Sequence, residues 1–306
     1  MPRSVLGGHE WGVYGVGWRP DGRLLASCGW DATIRFWEPD TGTCVQVSRD
    51  PDGSVNFSGL AWSPDGKFLA SGTTLQGVHV WEMPSRSSRW AGHQPSTGVR
   101  RVAWSMDGRC LVGGGHDGYI YVWEASDGRL LQRLAGHQGA VMSVAFSPDG
   151  TQLASGGGSR DNGELFVWNA QSWQRVQALL EQGVVISAVA FSPDGTRLIG
   201  GGSDGRLRWW DVQNGECVLV REAHQGTVYA LKMSSDGSRL ASCGDDGAIN
   251  VWELESGEHL RTLRRDRPYE RLSITGIRGL TEAQKATLRA LGAVEDPAAT
   301  RSRHVP

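Results

Sequence analysis

Short runs in which apolar and polar residues alternate recur along the whole chain, each bounded by Gly, Pro, Asp or Ser. Alternation with a period of two sends side chains to opposite faces of a strand, so the runs predict β-strands and the punctuation predicts tight turns. The runs repeat on a longer scale. A Trp closes each unit at Trp37, Trp81, Trp123, Trp168, Trp210 and Trp252, at intervals of 44, 42, 45, 42 and 42 residues. An earlier aromatic or Met slot holds Trp18, Trp62, Trp104, Phe146, Phe191 and Met233. A turn follows it, written RPDG, SPDG, SMDG, SPDG, SPDG and SSDG. Pro presets φ at the second place of such a turn and Gly accepts positive φ at the last. Each unit therefore reads as four strands: Val-x-x-Val-x-aromatic, Leu-Ala-Ser, a strand ending in Trp, and a more polar outer strand. A lone sheet of this pattern cannot bury both faces, so neighbouring units must stack.

Composition sharpens this picture. Gly accounts for 43 of 306 residues and Trp for 14, many turns and many large aromatics around a packed core. Most tryptophans fall in slots that the units share; Trp209 matches Phe36 and Val251, and Trp90 matches Leu134. The formal charge of −2 argues against a nucleic-acid binder driven by counterion release. No run approaches the roughly 18 apolar residues that a membrane span needs, and the first residues hold no secretion-type apolar stretch, so a cytoplasmic location is expected. Cys28 and Cys243 share one repeat slot, Cys44 and Cys217 another, and Cys110 stands alone. With no Cys-x-x-Cys pair, small-residue packing in a reducing compartment explains them better than metal or disulfide.

With Gly-His opening units and Trp-Asp or a variant closing them (Trp210-Asp211, four Trp-Glu pairs, one Trp-Asn), the unit resembles the WD-repeat (WD40) β-propeller family. The resemblance implies an all-β propeller of six four-stranded blades, either a closed ring or an open arc that a seventh would complete. The propeller is expected over residues 1–264, in units near 8–48, 49–90, 91–134, 135–180, 181–221 and 222–264, with a tail at 265–306. It also implies a buried polar network in each blade. By slot, unit one carries His9, Ser27, Asp31 and Trp37, and unit six carries His224, Ser242, Asp246 and Trp252. Unit four has His137, Ser155 and Trp168, with Asn162 in the carboxylate slot and Asp161 beside it. Unit three has His93, Asp117 and Trp123 with Gly113 for the hydroxyl, unit five has Gln182, Gly200, Asp204 and Trp210, and unit two keeps only Ser71 and Trp81.

A Ser, a His and an Asp together would otherwise suggest a hydrolase. Their recurrence at one phase argues for a structural role, and no catalytic residue, metal or cofactor is expected. The glycine clusters at 113–115, 156–158 and 200–202 also recur at one phase and lack the Gly-Lys-Ser/Thr of a phosphate loop. The loop 159–164 lacks calcium-loop spacing and reads as an inserted turn.

Aromatics outside the shared slots point to a partner. Trp11 follows His9 in the loop entering the first strand, and Trp30 precedes Asp31 in the turn before the third. In the family resemblance both loops open on the top rim. Tyr14 and Tyr229 share one slot at the top of the first strand with Arg100, Met142 and Ser187; His116, Ser203 and Asp245 share the slot of Trp30. Either Trp11 and Trp30 pack on each other or on a neighbouring blade, or Trp11, Tyr14, Trp30, Arg100, His116, Met142, Tyr229 and Asp245 form a surface for a protein or peptide. Arg100, His116 and Arg160 would favour an acidic segment.

The basic run Arg261, Arg264, Arg265, Arg267 and Arg271 reads as a solvated connector. Thr281-Glu-Ala-Gln284 reads as a capping box opening a helix near 281–292. The wording DRPYERLSITGIRGLTEAQKATLRALGA resembles the end of bacterial NACHT or NB-ARC WD-repeat signalling ATPases. It suggests an upstream ATPase module of the same polypeptide or operon as a partner, although no ATPase motif occurs here. At the front, Leu6-Gly-Gly-His9 matches Leu134-Ala-Gly-His137, so residues 3–6 and 258–264 compete for the outer edge of the last blade, and 258–264 are expected to win. The expected function is a non-enzymatic interaction scaffold or sensor; the alternative is a propeller enzyme acting at its central channel.

Overall fold

Alternation and turn chemistry together yield six antiparallel sheets of four strands each, in a computed structural model that describes residues 5–49, 56–83, 85, 87–92, 95, 97–159, 162–264, 272–275, 277, 279–291 and 293. Blade 1 holds β1 (Val13–Trp18), β2 (Leu25–Gly29), β3 (Thr33–Glu38) and β4 (Thr43–Arg49). Blade 2 holds β5 (Phe57–Trp62), β6 (Phe68–Thr73), β7 (Val78–Glu82) and β8 (Ser87–Gly92). Blade 3 holds β9 (Val99–Trp104), β10 (Cys110–Gly115), β11 (Tyr119–Glu124) and β12 (Leu130–Ala135). Blade 4 holds β13 (Val141–Phe146), β14 (Gln152–Gly158), β15 (Asn162–Asn169) and β16 (Arg175–Gln182). Blade 5 holds β17 (Ile186–Phe191), β18 (Arg197–Gly202), β19 (Arg206–Asp211) and β20 (Cys217–Glu222). Blade 6 holds β21 (Val228–Met233), β22 (Arg239–Gly244), β23 (Ala248–Glu253) and β24 (His259–Arg264). Within every blade the strands lie side by side in chain order, and the blades form a six-membered β-propeller ring. The outer place of blade 6 is filled by β24, with Trp252 opposite His259 and Ile249 opposite Leu263.

The first turn of each blade is built by its own side chains. In blade 2 the Ser63 hydroxyl and the Lys67 N–H both donate to Asp65, while Gly66 takes a φ of 69°. The carboxylates of Asp65, Asp107, Asp149, Asp194 and Asp236 sit in equivalent turns. A second shared irregularity matters more for function. In every blade the pairing of the innermost strand with the second slips near its start, between Val13 and Gly15 in blade 1 and at the matching place in the other five. The bulge leaves Tyr14, Ser58, Arg100, Met142, Ser187 and Tyr229 as extra residues at the channel mouth.

Blades pack through five apolar clusters, one for each consecutive pair. Ile34 and Phe36 of blade 1 meet Phe57 and Trp81 of blade 2, and Ile199 and Trp209 of blade 5 meet Val228 and Trp252 of blade 6. Three more clusters join the blades between them. Fully burying one such side chain stabilises by about 1.5–3 kcal/mol. Indole N–H groups add directional links: Trp62 donates to Gly17 O, Trp104 to Ala61 O and Trp209 to Leu254 O, each on the adjoining blade. The tail contributes α1 (Glu282–Ala290), opened by the reciprocal Thr281–Gln284 capping box that its sequence predicts.

The turn before β3 carries strain. Ala32 has φ of 55°, where blades 3, 5 and 6 place Gly118, Gly205 and Gly247. A left-handed conformation costs an L-residue about 1–2 kcal/mol, and glycine's greater freedom in the unfolded chain offsets roughly half of that. Ala32→Gly is therefore expected to raise the unfolding free energy by about 0.5–1 kcal/mol in urea titrations; a loss of stability would contradict this reading of the turn.

Candidate functional site

The polar networks come first, because they resemble catalytic machinery. In blade 1 the Trp37 indole donates to Ser27 Oγ at 2.8 Å, His9 Nε2 lies 2.7 Å from the same oxygen, and His9 Nδ1 lies 2.9 Å from Asp31. Blade 6 repeats this with Trp252, Ser242, His224 and Asp246 at 2.9, 2.8 and 2.9 Å. One assignment satisfies every atom: indole N–H to hydroxyl oxygen, hydroxyl to Nε2, and Nδ1–H to carboxylate. The order of groups is that of a hydrolase triad, yet Ser27 and Ser242 are buried and their oxygens already accept from tryptophan. These networks tie the loop entering each blade to its second and third strands. Burial works against the charge on Asp31, but hydrogen bonds from Thr33, the Glu10 N–H and His9 outweigh it and hold the carboxyl below its usual range. Asp246 is held low in the same way by His224 and two backbone N–H groups.

Blade 4 departs from its expected assignment. Among the described residues the carboxylate comes not from the Asn162 place but from Glu164, at 3.1 Å from His137 Nδ1, while Gln138 N–H donates to it. The inserted turn lengthens β15 and brings the longer glutamate side chain from two residues further along the strand. Asp161 and Arg160 lie outside the described residues, as does His93 of unit three. Blade 3 completes its Asp117 with the Tyr121 hydroxyl at 2.6 Å, and Trp123 and Val99 close the space beside Gly113 where blades 1, 2, 4 and 6 carry a hydroxyl residue. Blade 5 pairs Asp204 with both guanidinium nitrogens of Arg208, at 3.1 and 2.8 Å, and Glu181 joins them at 3.4 Å. Blade 2 keeps Ser71 turned to its neighbour's carbonyl, Gly72 O. The neutral and ionic substitutes solve one problem, a partner for the turn carboxylate, with different chemistry.

The rim aromatics gather in one sector. Tyr14 and Trp30 stack with centroids 4.7 Å apart and planes 9° from parallel. Tyr14 is thus the stacking partner of Trp30, and the three rings keep much of their surface: Trp11 is 69% exposed, Trp30 47% and Tyr14 40%. Tyr229, 45% exposed, donates its hydroxyl to Asp245, which also accepts from Thr227 N–H. These bonds hold the Asp245 carboxyl low and push the Tyr229 hydroxyl up. Arg100 and Met142 are half-buried on the same circle, and Arg100 adds to the burial that lowers the His116 pKa.

Two cations in the channel escaped the sequence reading. Arg101 occupies a slot held elsewhere by Gly15, Gly59, Ser143, Ala188 and Ala230, and Lys232 one held by Gly17, Ala61, Ala103, Ala145 and Ala190. A long cation where every other unit carries a small residue was the available signal. Arg101 reaches across the channel to Tyr14 O at 3.4 Å and Tyr229 O at 3.3 Å. Burial, then Arg101, lowers the Lys232 pKa. Among the described residues no group of three or more His, Cys, Asp and Glu is placed to hold a metal ion, and no helix is long and apolar enough to cross a membrane.

Six matches to the family model "WD domain, G-beta repeat" cover residues 1–38, 42–82, 85–124, 128–169, 174–211 and 215–253. The chain belongs to the WD40 repeat family. It is similar to the nuclear distribution protein nudF of Aspergillus niger, 29% identical over 172 residues, which is 49% of this chain and 38% of that protein. It is 26% identical over 93 residues to the WD repeat-containing protein 26 homolog of Arabidopsis thaliana, 30% of this chain and 15% of that one. It is 50% identical over 42 residues to the probable cytosolic iron-sulfur protein assembly protein CIAO1 homolog of Ixodes scapularis, 14% of this chain and 13% of that one. The matches thus span well under half the length of these curated relatives.

Two measurements follow from the networks. Asp246→Asn removes a charged acceptor from a buried histidine and is expected to cost about 1–3 kcal/mol of stability, read by urea unfolding; an unchanged unfolding midpoint would contradict a structural role. The second concerns acid. Burial, then Arg175, pushes His137 down to about 3, while in the unfolded chain a histidine sits near 6.5. The unfolded state binds the extra proton between these values, so this contribution is complete above about pH 6.5 and declines as the pH falls toward about 3. Stability should therefore drop from pH 7.5 to pH 5 with a slope of at most about 1.4 kcal/mol per unit from this group, and His137→Asn should flatten it; an equal slope in both proteins would contradict the assignment.

Proposed function

We propose that this propeller is a non-enzymatic protein-interaction module, a scaffold or sensor that docks a peptide or protein segment on its top rim. The observation that carries the reading is the exposed Tyr14–Trp30 stack flanked by Trp11. Rigid aromatics lose little conformational freedom on binding and are over-represented among interface anchors. Tyr229 and Asp245 extend the patch, and Arg100, His116 and Met142 are its secondary contacts. The partner segment carries carboxylates, because Arg100, Arg101 and Lys232 place positive charge at and below the channel mouth. The relatives' printed names, a nuclear distribution protein and an iron-sulfur protein assembly protein, fit assembly factors rather than a single chemistry. The tail wording adds a finer reading: a cytoplasmic bacterial signalling protein in which the propeller senses a partner for an ATPase module. The buried, already bonded serines give the channel-enzyme alternative no support.

The test is a pull-down from source-cell lysate with the Tyr14→Ala, Trp30→Ala double variant beside the unaltered chain. Truncating a true anchor costs about 2 kcal/mol or more, so binding should weaken at least about thirty-fold per anchor while circular dichroism stays unchanged. Full retention of the partner would refute the site.

A further inference from the structure

The innermost strands of the six blades line the channel, and packing keeps two of their places small. A Cβ on Gly15 would lie 2.9 Å from the Leu60 nitrogen of the next blade, and one on Gly17 would lie 3.3 Å from the Trp62 ring. Arg101 and Lys232 break this rule, one at each place. Arg101 turns into the channel and runs across it from blade 3 to the Tyr14 carbonyl of blade 1 and the Tyr229 carbonyl of blade 6. Lys232 has room because Trp18, which stands to it as Trp62 stands to Gly17, is 56% exposed. Lys232 lies three residues deeper along β21 than Tyr229, about 10 Å of strand at roughly 3.3 Å per residue.

Neither cation has a counter-charge. Among the described residues no carboxylate forms an ion pair with Arg100, Arg101 or Lys232. The groups that act on Arg101 are another cation, Arg100, and the thiols of Cys28 and Cys243, which burial keeps protonated. Arg208 of blade 5 shows the contrast: it has Asp204 at 2.8 Å and Glu181 at 3.4 Å. The Arg101 bonds to carbonyls, at 3.4 and 3.3 Å, are long for a guanidinium, whose bonds to an anion close to about 2.7–2.9 Å. They also leave donors unused, since the group carries five N–H bonds. Two like charges held in a confined channel raise each other's cost, as the lowered Lys232 pKa records.

We infer that the channel, below the rim, is a binding site for one phosphate group held between the Arg101 guanidinium and the Lys232 ammonium. A compact dianion balances both cations at once and accepts N–H bonds from opposite sides, whereas a monocarboxylate leaves one cation uncompensated. Because the Arg101 side chain crosses the channel above Lys232, the ligand is a small one: free phosphate or a small phosphate monoester, rather than a segment of polypeptide. The Tyr14–Trp30 stack stands above this site, and the measurements below need no rim partner, so the two readings fail separately.

Inorganic phosphate titrated calorimetrically into the purified 306-residue chain, at constant ionic strength in chloride, should bind saturably with one ion per chain. Lys232→Ala and Arg101→Ala each install a residue that other blades carry at that place, and each should weaken binding at least ten-fold. Arg101 also bridges two blades, so Lys232→Ala decides the matter if Arg101→Ala loses its circular dichroism. Arg261→Ala, which removes a cation from the exposed β24, and the Tyr14→Ala, Trp30→Ala double variant should both bind phosphate as the unaltered chain does. Methyl phosphate separates the two sources: tighter binding than inorganic phosphate supports a monoester ligand, and weaker binding supports the free ion. Absence of saturable binding, equal affinity in the unaltered chain and Lys232→Ala, or acetate bound as tightly as phosphate would overturn the inference.

Discussion

A sheet with two apolar faces must be covered on both, and everything in this molecule depends on that requirement. The inner three strands of each blade carry Val, Ile, Leu, Phe or Trp toward both faces, so no blade is stable alone, and blades 2 to 5 each supply half of two cores. Stacking converts six marginal units into one structure and leaves only the rims and the channel free to vary. The rims are where sequence differences between blades concentrate. Tyr14, Ser58, Arg100, Met142, Ser187 and Tyr229 occupy one bulged position, and the bulge frees that position from the hydrogen-bond ladder. A fixed frame with a variable residue at each mouth is suited to recognition.

The polar networks serve the same frame. A loop that enters each blade over the top must be anchored, and buried polar atoms must all be paired. Blades 1, 4 and 6 meet both needs with indole, hydroxyl, imidazole and carboxylate. In blades 3 and 5 the turn carboxylate is paired instead by Tyr121 and by Arg208 of the strand that follows it. That such different chemistry fills one place is itself an argument that position rather than reactivity is the common requirement.

Much of this was legible in the sequence because the repeat shows each position six times. Comparing slots located the strands, the Pro-Asp-Gly turns and the complete networks of blades 1 and 6, and the Thr281–Gln284 capping box located the tail helix. Slot comparison failed where an insertion or a length change intervened: Glu164 replaced Asn162 because the inserted turn moved the strand relative to the loop. Contacts between distant units were also hidden. Nothing in blade 3 alone announces that Arg101 reaches Tyr14 and Tyr229, although its size in a small-residue slot hinted at an unusual role. The Tyr14–Trp30 stack was missed because it joins different slots of one blade. The exposure of Val13, Val16 and Trp18 could not be read from their residue types, since the same slots in packed units carry similar apolar residues.

The central functional claim is that one sector of the rim, rather than the rim at large, meets a protein partner. A photoreactive amino acid placed at residue 30, and in a second protein at the equivalent residue 203 of blade 5, tests it most directly when both are irradiated in source cells. The account expects a discrete cross-linked protein from position 30, lost when Tyr14 is replaced by Ala, and none from position 203. Equal cross-linking at the two positions, or a product at 203 alone, would contradict it.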